Sequence, residues 1–280
     1  MRPVLSHYQA GPLYQAWRAG ASHAQTTLDL GLSVVDVVLD DDGIALPDGV
    51  HVSWQTVDDI LDDENGCFAI DEAGEAHKIQ TFSATTRRQV SLYPTAAAPT
   101  MLIAGFPMHR IKRSDPRRDT LAKIRAAAPI GDVLDTTMGL GYTAIEAART
   151  ARHVITVELD PAVVEVASQN PWSAALFTHP HIERREGDIR DVIETFPDAA
   201  FTSIIHDPPT FALAGELYSG AFYRELYRVL ARGGRLFHYI GDLNSPSGMR
   251  VATGVIRRLG EAGFRRITRH PDAFAVTAQK

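Results

Sequence analysis

The 280-residue sequence predicts an α/β fold over residues 116–280, an open parallel sheet covered by helices and closed by an antiparallel hairpin, with a smaller β-rich domain over residues 1–115. Three observations predict it. From residue 116 onward, short apolar runs rich in β-branched residues alternate with amphipathic helical stretches. The last two apolar runs, FRRITRH and AFAVTAQ, are separated only by Pro271-Asp272 and their neighbours, a gap that permits a hairpin and no crossover. Before residue 115, short β-type runs are punctuated by Asp/Gly/Asn turns, which reads as a meander or small barrel.

Each element follows from its own pattern. In the first part LSVVDVVL, VHVSW, CFAI, HKIQTFS, RQVSLYP and TMLIAGF read as strands, and the first residues and VDDIL as short helices. The runs Asp40-Asp41-Asp42 and Asp62-Asp63-Glu64-Asn65 read as solvated turns rather than metal loops. MHRIKRSDPRRDT, residues 108–120, is a basic linker running into a helix. Then DTLAKIRAAA is a helix, GDVLDT a strand, TAIEAARTA a helix and HVITVEL a strand. AVVEVASQN is a helix, HIERREGD holds a strand, IRDVIETF is a helix and FTSIIHD a strand. AFYRELYRVL is a helix with Phe222, Leu226, Val229 and Leu230 on one face, expected to end at Gly233-Gly234. RLFHYIG is a strand and VATGVIRRLGEAG a helix; with the closing hairpin the sheet has seven strands.

Composition narrows the function. The balance of 45% hydrophobic and 22% charged residues is that of an ordinary soluble protein, and the net charge of −6 argues against a general nucleic-acid surface. The single cysteine, Cys67, excludes an intrachain disulfide framework and a cysteine-rich zinc site, which fits a cytoplasmic protein. No signal peptide and no membrane span are expected from the hydropathy pattern.

Open α/β sheets bind ligands beyond the carboxyl ends of their strands. The first strand leads into DTTMGLGYTA, where Gly139 and Gly141 allow a tight turn and close backbone approach. The second ends in Glu158-Leu159-Asp160-Pro161, which sets a carboxylate where the two hydroxyls of a ribose can be held. Asp160 reads as a helix cap. The third ends in Glu186-Gly187-Asp188 and the fourth in Asp207-Pro208-Pro209. The two prolines stop strand pairing and hold Asp207 still. Capping alone does not account for four consecutive acidic or glycine-rich strand ends.

The ordered motifs DTTMGLG, VELDP, EGD and DPP make residues 116–280 resemble the Rossmann-like S-adenosylmethionine-dependent methyltransferases. GELYSGAFYRELYRVLARGGRLFHYIG is similar to the corresponding segment of spermidine-synthase-like proteins, and the whole chain resembles a group of methyltransferases found mainly in archaea. The resemblance implies a methionine-binding loop of Asp135, Gly139 and Gly141, with the Thr137 hydroxyl on the cofactor carboxylate or a loop of different shape. It places Glu158 on the ribose, Leu159 against the adenine, Asp188 at the adenine amino group and Ile189 beside the ring. Asp207 and the Pro208 carbonyl would accept hydrogens from an attacking amine, as in amino-methyltransferases with a D/N/S-P-P-aromatic motif. Thr210 stands where that motif has an aromatic residue, and Phe211 follows it.

The expected reaction is therefore methyl transfer from S-adenosylmethionine to a nitrogen nucleophile. Aminopropyl transfer from decarboxylated S-adenosylmethionine is the alternative. A third reading is an NAD-binding dehydrogenase or sensor, since Gly139-x-Gly141-x-x-Ala144 with Glu158 also fits the dinucleotide fingerprint. Tyr218 and Tyr239 are candidate substrate-pocket residues beside Thr210 and Phe211, while Tyr223, His206 and His238 read as core. Asn170 is a helix C-cap or closes over the adenine, and His109 and Arg110 are candidates to approach the substrate. No metal and no membrane partner are expected. The acceptor is a small molecule, a protein or an RNA, and the N-terminal domain selects the substrate or forms a homodimer contact.

Overall fold

A computed structural model describes residues 2–211 and 213–280. The chain divides into two compact units, one holding the residues up to Arg117 together with Ala162–Ala174, the other Arg118–Pro161 together with Ala175–Lys280. Each is described by itself.

In the first unit, the leading helix His7–Arg18 starts in a capping box: Ser6 accepts from the Tyr8 amide, and Gln9 reaches back to the Ser6 amide at 3.1 Å. A second helix, Trp54–Asp62, is capped by Ser53. Among the described residues the strands form one three-stranded and two four-stranded antiparallel sheets. Leu13, Val37, Ile44, Val52, Val57 and Ile60 make the core, with Trp17 stacked on Trp54 at 4.4 Å. The acidic runs serve turns. Asp40 accepts from the amides of Asp42 and Gly43, and Asp63 accepts from that of Asn65.

The second unit is built on a seven-stranded sheet: β1 (Gly131–Asp135), β2 (Ala151–Glu158), β3 (Ile182–Glu186), β4 (Phe201–His206), β5 (Leu230–Tyr239), β6 (Arg265–His270) and β7 (Ala275–Gln279). Their order is β3-β2-β1-β4-β5-β7-β6. The first five run parallel, and β7 is antiparallel to both β5 and β6. The central strands β1 and β4 bury Val133, Leu134, Ile204 and Ile205 completely, as strands covered on both faces must. The order reverses between β1 and β4, so their carboxyl ends open the crevice where such sheets take ligands.

One boundary differs from expectation. The helix α4 (Gly220–Val229) stops before the glycine pair, and β5 starts at Leu230 and runs through Gly233-Gly234. The register against β4 shifts between Phe201 and Ser203, and Gly233 has φ +78, so the pair forms an irregularity in the strand rather than a helix cap. The other helices named below are α1 (Pro116–Ala127), α2 (Tyr142–Ala147) and α3 (Ile189–Val192). No helix among the described residues is long and apolar enough to cross a membrane.

Candidate active site

The crevice is stitched together by backbone first. The Thr136 amide donates to the Ile205 carbonyl, that of Met138 to Val157, and that of Gly187 to Glu158, which ties the ends of β1, β2, β3 and β4 to one another. Gly139 and Gly141 both have positive φ, +54 and +73, in the loop leading to α2. A Cβ on Gly141 would lie 2.5 Å from the Leu176 side chain, so the turn has no room for one.

Asp135 ends β1 fully buried. Its Oδ2 accepts from Thr156 at 2.8 Å and, at a long 3.5 Å, from Thr143; its Oδ1 is buried with no partner among the described residues. Burial pushes this carboxyl well above the usual range, and the charges of Asp207 and Glu158 push the same way. Glu158 is half-buried at the end of β2. Its Oε2 accepts from the Gly139 amide at 2.9 Å and its Oε1 from the Asp160 amide at 3.1 Å. Loss of water raises it to about 7 against the pull of those amides. Leu159 beside it is 47% exposed, an apolar surface open to a flat ligand, and Ile189 is buried.

Asp188 caps α3 through the Arg190 amide at 2.9 Å and grips the Arg190 guanidinium, which reaches Oδ2 at 2.6 Å. That pairing holds its carboxyl below the usual range. A ligand amino group arriving there would share Asp188 with Arg190.

At the end of β4, Thr137 donates its hydroxyl to the Asp207 carbonyl at 2.7 Å. In this structure the Thr137 hydroxyl braces the Asp207 backbone. The Asp207 carboxylate meets a residue that sequence reasoning missed. Lys123 of α1 places its Nζ 2.6 Å from Asp207 Oδ2 and 3.1 Å from Asp119 Oδ2, and 4.6 Å from the centre of the Tyr239 ring. Pro208 is buried and Pro209 exposed. Tyr218, 2% exposed, donates its hydroxyl to the Pro209 carbonyl at 3.0 Å, and so braces the loop from beneath rather than offering that hydroxyl to an open pocket. Thr210 and Phe211 are exposed, with the Phe211 ring edge-on to Tyr218. Tyr239 is half-buried under Lys123.

His206 is a core residue. Its Nε2 faces the Leu217 carbonyl at 3.0 Å, which can only accept, so Nδ1 accepts from the Thr136 hydroxyl at 2.7 Å. Burial lowers its pKa to about 3, and the ring stays neutral. His238 lies against it at 4.4 Å, with Tyr223 OH 2.8 Å from its Nε2. Asn170 and His109 are used within the first unit. Asn170 caps the turn Pro171–Ser173, and His109 Nδ1 lies 2.9 Å from Thr100 Oγ1. Arg110 also belongs to that unit.

A seven-stranded sheet of this order, with glycines and carboxylates at its carboxyl ends, defines the Rossmann-like methyltransferase class of fold. A methyltransferase domain family matches residues 133–234. The chain is 44% identical over 237 residues to the uncharacterized protein MJ1233 of Methanocaldococcus jannaschii, covering 84% of this chain and 80% of that one. It is 29% identical over 162 residues to polyamine aminopropyltransferase 2 of Streptomyces coelicolor, covering 54% of this chain and 29% of that one. In structure it resembles spermidine synthase from Thermotoga maritima, with a TM-score of 0.56, 18% identity and 71% of each chain covered, a likeness of fold. The chain belongs to one family with the Methanocaldococcus protein, and within it residues 133–234 match a methyltransferase domain.

Proposed function

We propose that the protein is a cytoplasmic methyltransferase that moves the methyl group of S-adenosylmethionine to a nitrogen nucleophile. The observation that carries this reading is the buried, unpartnered Oδ1 of Asp135 at the foot of the glycine loop. A buried carboxyl oxygen without a partner is costly, and an amino group such as that of a bound methionine moiety would satisfy it and favour the ionised form. Glu158 receives the ribose hydroxyls beside the amides it already accepts, Leu159 and Ile189 flank the adenine, and Asp188 takes the adenine amino group.

S-adenosylmethionine, when bound, would supply a sulfonium methyl carbon to the acceptor's lone pair, with the C–S electron pair returning to sulfur and the acceptor's proton leaving to solvent. The chain's part is alignment. Asp207 and the Pro208 carbonyl accept hydrogens from the nucleophile. Thr137 and Tyr218 fix the backbone on either side of Pro208. Thr210, Phe211 and Tyr239 line the approach of the acceptor, a small molecule, protein side chain or RNA base. The N-terminal unit selects that acceptor or pairs two copies of the chain.

Aminopropyl transfer is the second reading, favoured by the relatives named as a polyamine aminopropyltransferase and a spermidine synthase. Incubation with S-adenosylmethionine labelled at the methyl carbon, and separately at the aminopropyl chain of its decarboxylated form, tests the choice. Label carried to cell-extract fractions from the methyl carbon alone supports the proposal; label carried from the aminopropyl chain alone overturns it.

A further inference from the structure

We infer that Lys123 is a specificity-determining residue that bars cationic acceptors from Asp207. The inference deepens the methyl-transfer reading and rests on it. A carboxylate and an aromatic face are the two features that recognise an ammonium ion. At the end of β4 both are engaged by an ammonium belonging to the chain. The Lys123 side chain is 3% exposed, with its Nζ 2.6 Å from Asp207 and 4.6 Å from the centre of the Tyr239 ring. It is anchored from behind by Asp119, one helical turn earlier, at 3.1 Å. Withdrawing it would strand a buried carboxylate, so it is a fixed part of the wall.

A polyamine or other alkylammonium approaching Asp207 would lie against the like charge of Lys123. The two carboxylates keep Lys123 protonated: burial alone would lower its pKa, but Asp207 and Asp119 together raise it above the ordinary lysine value. The neutralised Asp207 is then an orienting acceptor rather than a trap for cations. It suits a nucleophile that arrives uncharged at neutral pH with both a lone pair and N–H hydrogens to give, such as an amino group on an aromatic ring. An aliphatic amine would enter as a cation and must first lose a proton.

Sinefungin, which carries an amine in place of the transferable methyl, reads the charge at this point, and S-adenosylhomocysteine, which has nothing there, is its reference. The ratio of their affinities, measured by calorimetry on one protein preparation, is insensitive to general loss of folded protein. Relative to wild type, Lys123→Met is expected to shift the ratio towards sinefungin by about tenfold or more, and Lys123→Arg to leave it within about twofold. Asp207→Asn, which keeps the lysine, is expected to shift it the other way. Spermidine titrated into the S-adenosylhomocysteine complex is expected to bind Lys123→Met and not wild type. An unchanged ratio in Lys123→Met, or spermidine binding equally well to wild type, overturns the inference. Should Lys123→Met not fold, an unchanged ratio in Asp207→Asn or tight spermidine binding by wild type does the same. Failure of wild type to bind S-adenosylhomocysteine at all overturns the methyl-transfer reading instead, and the inference with it.

Discussion

The two halves of the crevice carry carboxylates in opposite settings. On the β1–β2 side, Asp135 and Glu158 are held by hydroxyls and backbone amides, and among the described residues no cation is paired with either. Both are pushed upward by burial. On the β4 side, Asp207 is paired at 2.6 Å with a buried lysine. The first half is short of positive charge and the second already has it. A ligand with an ammonium and a sulfonium suits the first, and an uncharged nucleophile suits the second.

The largest expected break in this contrast is Asp207→Ala. Under the proposed mechanism it lowers the rate of methyl transfer by about 100-fold or more while the affinity for S-adenosylhomocysteine, which carries no charge at that point, changes little, measured as kcat against Kd. It also leaves Lys123 with one carboxylate fewer in a buried place. Loss of a buried partner costs about 3–5 kcal/mol, so thermal unfolding should show a clear drop.

Glu158→Ala acts on the other half. Hydrogen bonds to a charged group contribute about 1.5–3 kcal/mol each, which corresponds to a loss of cofactor affinity of about 10- to 100-fold in calorimetry.

The pH dependence sharpens the contrast further. With Glu158 raised to about 7, the free protein holds it largely protonated at pH 6. Ligand hydroxyls prefer the ionised form, so affinity should rise about tenfold from pH 6 to 8, and Glu158→Gln should flatten that slope. In the free protein the sign is reversed. A carboxyl with a raised folded pKa supports folding fully below its ordinary 4.5 and ceases to do so as pH climbs through about 7. Ligand-free wild type should therefore lose stability over that window relative to Glu158→Gln. The smallest effect is expected of Tyr218→Phe, which removes the bond to the Pro209 carbonyl at a cost of about 1 kcal/mol in urea unfolding, with a few-fold loss of rate.

The same two halves differ in how far they were legible. The β1–β2 half is written in contiguous motifs, because a strand end, a glycine turn and a carboxylate at the next strand end are all local features. The sheet followed from period and spacing for the same reason, including the hairpin forced by Pro271-Asp272. The β4 half joins residues far apart in the chain. Lys123 lies 84 residues before Asp207, and its i, i+4 pairing with Asp119 looks like an ordinary surface pair. The apolar residues of α1 point attention to Leu121 and Ile124, yet the buried stripe is Pro116, Asp119, Thr120, Lys123 and Ala127. The helical spacing of that polar stripe was the available signal. Gly233-Gly234 misled by propensity, since glycine after a helix suits a cap as well as a strand irregularity.

The central claim is that the β1–β2 half is a site for S-adenosylmethionine. Calorimetric titration of wild type and Glu158→Ala with S-adenosylmethionine, its decarboxylated form and NAD tests it most directly. The account predicts that S-adenosylmethionine binds wild type, more tightly than the decarboxylated form, and that binding is lost or greatly weakened in the variant. Binding of NAD alone, or clear preference for the decarboxylated form, would contradict it.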